Sequence, residues 1–323
     1  MVTLLNHGIT AALKVSGMSD LTLAIFLILA VSTGCFQLGW RCGGSASSHK
    51  RGVAQLAAML TMVGYMVFLW NKPLLANLLP TSSLIIVGNW LPCWAAFFIG
   101  IYVASPGTGQ IRKGAVSIFT LLLAAYSTVA PLFGQPPECK TSRSTQTLLY
   151  QTSPYTCSAA CASSLLRLHG IPATEEELAD LCLTRQGTHW MGVYRGLKLK
   201  TENSEWTVVA EPFSKESLKR LAETPSLLAL NLDVSGFPEY VDHGFQSGTG
   251  HSVLCLGNDA EGVVPVFDPS PDFGTEYWSD RIFRCVRSGV ILRLVSRDPN
   301  DLAAVETQRR VMATMRVRNV AGL

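Results

Sequence analysis

Four long runs without a charged side chain dominate the first part of this chain. They are Leu21–Trp40, Val53–Trp70, Leu84–Ala104 and Ala115–Phe133, of 20, 18, 21 and 19 residues. About 20 apolar residues in helical form cross the ~30 Å hydrocarbon core of a bilayer. A helix that is apolar all round over that length has no face to offer water. Charge is partitioned accordingly: residues 1–138 carry 7 basic and 2 acidic side chains, and residues 139–323 carry 19 and 21. One chain therefore holds two physically different regions. The first is expected to be an all-α, four-helix transmembrane region over 1–138.

Charged residues make up 15% of the whole, against ~25% in an average soluble domain. That excludes a disordered chain, and 323 residues with nine cysteines exclude a small disulfide scaffold. No basic stripe points to nucleic acid. The expected partner of the first region is the lipid bilayer. Trp40, Trp70, Trp90 and Trp94 lie at or near span ends, as interfacial aromatic belts do, and Pro92 is expected to kink the third span. No span contains Asp, Glu, Lys, Arg or His, which argues against a transporter or an intramembrane protease.

Arg41, Lys50 and Arg51 fall in the first loop and Arg112 and Lys113 in the third, while the second holds only Lys72. The positive-inside rule places the first and third loops in the cytoplasm and, with an even number of spans, both termini outside. The expected location is a bacterial inner membrane, crossed several times, with the second region on the periplasmic or extracellular side. An alternative makes the first span a signal peptide with Cys35 lipidated, although Ser32, Thr33 and Gly34 match a lipobox poorly and the lead is long.

Gly134, Gln135, Pro136, Pro137 and Glu138 end the fourth helix, and a second domain is expected over 139–296. Its pattern starts helical. Cys157, Cys161, Leu165 and Leu168 share one face of a helix, with Gly170 at its C-terminal cap. Thr174 and Glu177 form a capping box for a second helix, and a third is expected around Val193–Leu197. A further helix through Leu218 and Leu221 is capped by Ser214 and stopped by Pro225. Strands are then expected at Leu227–Val234, Ser252–Gly257, Val263–Asp268 and Gly289–Val295, giving an α+β domain. Residues 297–323, with Arg309, Arg310, Arg316 and Arg318, read as a basic helical tail, solvated or touching anionic lipid.

Within this domain four residues carry chemistry. Cys157 starts a helix, where the helix dipole favours the thiolate, and a thiolate with a neighbouring base is an acyl nucleophile. His251 follows Gly248-Thr249-Gly250 at a strand start and supplies the base. Asp268 ends the next strand, and antiparallel pairing would set it beside His251 to fix the imidazole. Gln151, just upstream of the helix, can aim its amide at an oxyanion, with the Cys157 backbone N–H as second donor. His243 and His251 are too sparse for a zinc site, and no metal or cofactor is expected. His189 and Cys161 read as structural. Cys139, Cys161, Cys182, Cys255 and Cys285 leave one or two disulfides open if the surroundings are oxidising.

These pieces together resemble the bacteriocin-processing, double-glycine-leader peptidases, a family of papain-like cysteine proteases. The match runs through Gln151 to Cys157, Cys157-Ser-Ala-Ala-Cys161 and the helix Leu165–Gly170. It continues through Gly187-Thr188 with Gly196-Leu197, Gly250-His251-Ser-Val-Leu, Val266-Phe267-Asp268-Pro269 and Phe283 to Gly289, and covers about 148–296. The resemblance implies a papain-like fold with Cys157 as nucleophile, His251 as base, Asp268 as its orienting carboxylate and Gln151 as oxyanion donor. Ser158 departs from the family's usual Gly. The domain here follows membrane helices, and no phosphate-binding Gly-x4-Gly-Lys-Ser/Thr loop exists in the chain, so no ATP partner is expected. The expected function is a membrane-anchored cysteine peptidase acting on exported or membrane-associated precursors, working beside a separate exporter or secretion machinery. A non-catalytic binding module of the same fold, or a thiol transpeptidase or amidase, remains the alternative.

Overall fold

The computed structural model describes residues 19–45, 47–106, 109–140, 147–214, 216–217, 224–233, 248, 250–257 and 263–298. The chain divides into two compact units, one of residues 1–75 and 83–133, the other of residues 76–82 and 134–323.

The first unit is helical: α1 (Ser19–Ser45), α2 (Ser48–Phe68), α3 (Leu74–Leu78, whose last residues fall in the second unit), α4 (Leu84–Val87), α5 (Leu91–Ala104) and α6 (Gln110–Val129). Four stretches, Asp20–Gly44, His49–Phe68, Leu84–Ala104 and Gln110–Leu132, are long and apolar enough to cross a membrane. Helices α1 and α5 approach so closely that a side chain cannot fit between them. A Cβ on Gly39 would lie 2.1 Å from the Phe97 carbonyl oxygen, and one on Gly100 would lie 2.3 Å from that of Phe36. Small residues at such crossings let backbones touch, which is how apolar helices gain packing in lipid.

The third stretch differs from the continuous helix expected over 84–104. It breaks at Gly88–Trp90, and Pro92 sits in the first turn of α5 instead of kinking a helix interior. Proline fits there because its missing N–H would have had no helical partner. The groups freed by the break are satisfied locally. Tyr65 Oη donates to the Gly88 carbonyl (2.5 Å) and accepts from the Trp90 N–H (3.2 Å). Asn89 Nδ2 donates to the Ser127 carbonyl (3.0 Å). Lys113, expected simply as a loop charge, is buried. Its Nζ donates to the carbonyls of Val103 (2.7 Å) and Ser105 (2.5 Å), closing the end of α5.

The second unit contains α7 (Cys157–Leu168), α8 (Glu175–Leu181), α9 (Trp190–Lys200), β1 (Trp206–Pro212), β2 (Ser226–Leu232), β3 (Gly250–Cys255), β4 (Val264–Asp268), β5 (Gly274–Trp278), α10 (Asp280–Phe283) and β6 (Val286–Ser296). The strands form one antiparallel sheet in the order β1-β6-β2-β3-β4-β5. Leu228, Leu230, Val253, Val266, Trp278 and Ile291 anchor a core on it. Strands β1 and β5 were not expected from the pattern. Helix α9 is longer than the stretch read around Val193–Leu197.

Helix α7 is buried on nearly every side and packs on β3 and β2. The sequence suggested one apolar face; small residues all round let the other faces pack as well. Its serines bond without water: Ser163 Oγ donates to the Thr174 carbonyl (2.7 Å), and Ser164 Oγ donates to that of Ala160 (2.8 Å). Gly170, at φ +74°, ends the helix in the left-handed region that glycine tolerates. Thr174 caps α8, its hydroxyl accepting from the Glu177 N–H at 3.1 Å. The helix expected from Ser214 and the tail from residue 299 lie outside the described residues, apart from fragments, as does His243.

Candidate active site

Cys157 is the first residue of α7, and Thr156 is its N-cap. Strand β3 carries His251 at its second position, and β4, its antiparallel neighbour, ends at Asp268. The pairing of Leu254 with Phe267 brings the start of β3 alongside the end of β4. His251 and Asp268 therefore meet: Nε2 of His251 donates to Asp268 Oδ2 at 2.7 Å, because a carboxylate can only accept. The other carboxylate oxygen, Oδ1, accepts the Ser270 N–H at 2.8 Å. Both side chains are buried. With Nε2 committed to Asp268, Nδ1 is the ring nitrogen left for the Cys157 thiol, which hydrogen-bonds His251.

The electrostatics of the pair oppose ordinary burial. Desolvation alone would raise the Cys157 thiol and lower the His251 imidazole. For Cys157 it is outweighed by the hydrogen bond and charge of His251, by the Ser252 backbone amide and by the Ser158 hydroxyl, so its pKa falls below the usual thiol value. For His251 desolvation is outweighed by the charge and hydrogen bond of Asp268 and by Cys157, and its pKa rises to about 10. Both shifts favour a thiolate facing an imidazolium.

Two serines support this pair, and sequence reasoning missed the partnership. Ser158 Oγ and Ser252 Oγ lie 2.8 Å apart, buried, and link the helix that carries the cysteine to the strand that carries the histidine. The visible signal was Ser158 itself, standing where a glycine was expected. Cys161, one turn beyond Cys157, is buried and donates its thiol to the Ser252 carbonyl at 3.4 Å. Desolvation, with the nearby Cys157 and Asp268, holds Cys161 well above the normal thiol range. Cys157 keeps partial solvent access, whereas Cys161, Cys182 and Cys255 have none.

Gln151 reaches the same neighbourhood through its backbone, its N–H donating to the carbonyl of Pro269, the residue after Asp268, at 2.7 Å. Its side-chain oxygen is buried and has no protein partner. The structure thus brings Cys157, His251 and Asp268 into contact and ties Gln151 to the strand end beside them. His189 sits apart from this set as the N-cap of α9, its Nδ1 accepting the Met191 N–H at 3.2 Å. All nine cysteines are free thiols in this structure.

No family model matches the chain, and no curated protein matches it. Among solved structures, the chain is similar to the peptidase domain of Streptococcus ComA, a bi-functional ABC transporter involved in a quorum sensing pathway. The TM-score is 0.36 and the identity 16%, over 46% of this chain and 98% of that one.

Proposed function

We propose that this protein is a membrane-anchored cysteine peptidase. The observation that carries the reading is the Cys157–His251–Asp268 array, its histidine and aspartate buried and its thiol partly open to solvent, in which the thiol pKa is lowered and the imidazole pKa raised. In the mechanism that this supports, the Cys157 thiolate attacks a peptide carbonyl carbon and forms a C–S bond. The oxyanion takes hydrogen bonds from the Cys157 backbone N–H and the Gln151 side-chain amide. His251, protonated, gives its proton to the leaving amine as the C–N bond breaks. It then accepts a proton from water, which adds to the thioester and restores the free thiol. Asp268 keeps the ring oriented and stabilises its charge throughout.

The N-terminal helices would hold the domain at a bilayer. The loop charges Arg41, Lys50, Arg51, Arg112 and Lys113 favour a multi-pass bacterial inner-membrane protein with the peptidase domain outside the cytoplasm. Its substrates would then be exported or membrane-associated precursors delivered by a separate secretion machinery. The test compares protein N-termini in cells carrying the wild type or Cys157→Ala, at equal expression. A set of N-termini that vanishes in the variant supports the reading and names the substrates; identical sets overturn it.

A further inference from the structure

We propose that Glu175 is a positioning residue for the oxyanion side of this site, its carboxylate clamping the loop that runs from Gln151 to Cys157. The inference rests on the peptidase reading above. Glu175 opens α8 and is 6% exposed. It accepts three hydrogen bonds, and all three donors belong to that loop. Oε1 accepts the Thr152 N–H at 2.7 Å and the Thr156 hydroxyl at 2.5 Å, and Oε2 accepts the Thr152 hydroxyl at 2.8 Å. The donors are thus the residue after Gln151 and the residue before Cys157.

Thr156 gives the strongest indication that this is more than a filled core position. It occupies the N-cap of α7, where a threonine hydroxyl ordinarily accepts from the helix's first free N–H groups. Here it makes no such cap. The hydroxyl accepts the Ser153 N–H at 3.2 Å and has its one proton between the Ser153 carbonyl (2.8 Å) and the closer Glu175 carboxylate, the stronger acceptor. The short bond to a carboxylate matches a charge-assisted O–H···O contact, stronger than a neutral one. Thr152 is saturated in the same way, its hydroxyl also accepting the Lys140 N–H at 3.0 Å. The far end of the loop is fixed by the Gln151 N–H on the Pro269 carbonyl. Glu175 therefore sets the spacing between the two oxyanion donors. Its hydrogen bonds go to Thr152 and Thr156, outside the Cys157–His251–Asp268 contacts, which are built on α7, β3 and β4.

The experiment uses the full chain in detergent micelles and two probes for Cys157, each corrected by subtracting the signal of Cys157→Ala. Iodoacetamide alkylation reads the thiolate alone. The burst of p-nitrophenolate from p-nitrophenyl acetate reads acylation, which passes through an oxyanion. Since a displacement of ~1 Å can cost ~10²-fold in rate, Glu175→Ala should slow the acylation rate constant by roughly 10- to 100-fold. The apparent ester affinity and the pH profile of alkylation should stay unchanged. Thr156→Val, which removes the hydroxyl and keeps the shape, should reproduce the effect. Glu175→Gln, keeping one acceptor oxygen, should recover much of the rate. In a Gln151→Ala background the Glu175→Ala effect should disappear, as expected for two residues acting through one another. Wild-type acylation in Glu175→Ala, an equal slowing in the Gln151→Ala background, or parallel loss of alkylation would overturn the proposal. Absence of any Cys157-dependent burst in the wild type would overturn the peptidase reading itself, and the inference with it.

Discussion

Between residues 19 and 133 the large side chains left exposed include Leu23, Phe26, Leu60, Phe119 and Leu121. From Gly134 onward, the exposed large hydrophobics among the described residues are Tyr150, Tyr155 and Tyr277, each with a hydroxyl. Both kinds of polar link occur in each region. In the first, Thr33 donates to the Leu29 carbonyl (2.8 Å), Thr120 to Val116 (2.8 Å) and Thr128 to Ala124 (3.0 Å), all on their own helices, while Tyr65 reaches across to Gly88. In the second, Ser164 folds back on Ala160, while Ser158 with Ser252 and Thr156 with Glu175 join elements distant in sequence around the candidate site. A hydroxyl within a helix can close on its own backbone. Where a compact core surrounds it, the same group can fix one element against another, and a site can be built from such links.

The sharpest way to break this comparison is to disrupt one close contact in each region. Asp268→Ala leaves the buried His251 ring without its carboxylate. Breaking a buried pair in this way costs about 3–5 kcal/mol, expected as a lowered unfolding midpoint for the second region. A midpoint equal to wild type would show that the pair does not hold the site. Gly100→Leu in the first region drives a side chain into the α1 backbone and forces the helices apart. Overpacking costs typically about 1–3 kcal/mol and more where backbone blocks the way. Circular dichroism melting in detergent should show an earlier transition, and one equal to wild type would refute the close crossing.

Surface substitutions should then separate the regions more finely. Leu121→Arg places a charge on an exposed apolar face at mid-helix and should cost about 2.5–3.5 kcal/mol in an apparent membrane-insertion assay. Tyr277→Arg, exposed on β5, should change stability by no more than about 0.5 kcal/mol. Equal tolerance at both positions would contradict a lipid-facing surface for α6.

Much of this difference was legible in the sequence, because charge-free runs and capping residues act locally. The Thr174 cap, the Gly170 terminus and the start of α7 at Cys157 follow from nearby residues alone. The meeting of His251 and Asp268 needed only adjacent antiparallel strands. Strand β5, Gly-Thr-Glu-Tyr-Trp, was illegible because its β character comes from pairing with β4, not from its own pattern. The break at Gly88–Trp90 was masked by unbroken hydrophobicity, though Gly88-Asn89 was its local signal. Glu175 is one of three acids in the first turn of α8 and was not singled out by the sequence. Nothing in that spacing shows that its carboxylate faces back onto the loop before Cys157.

The central claim is that His251 holds Cys157 as a thiolate below the ordinary thiol pKa, and its alkylation by iodoacetamide across pH tests this most directly. Other thiols should contribute little on the acid side, since desolvation pushes Cys139 to about 11 and Cys182 and Cys255 to about 12. Thiolate is lost only as pH falls through the lowered Cys157 pKa, and the imidazolium is lost only as pH rises towards about 10. The Cys157-dependent rate should therefore rise to its plateau at lower pH than that of an ordinary thiol. In His251→Ala only the Ser252 amide and the Ser158 hydroxyl still oppose burial, and the rise should move to clearly higher pH than in the wild type. A wild-type rate that itself climbs only around 9 or above, or a profile unchanged in His251→Ala, would contradict the account.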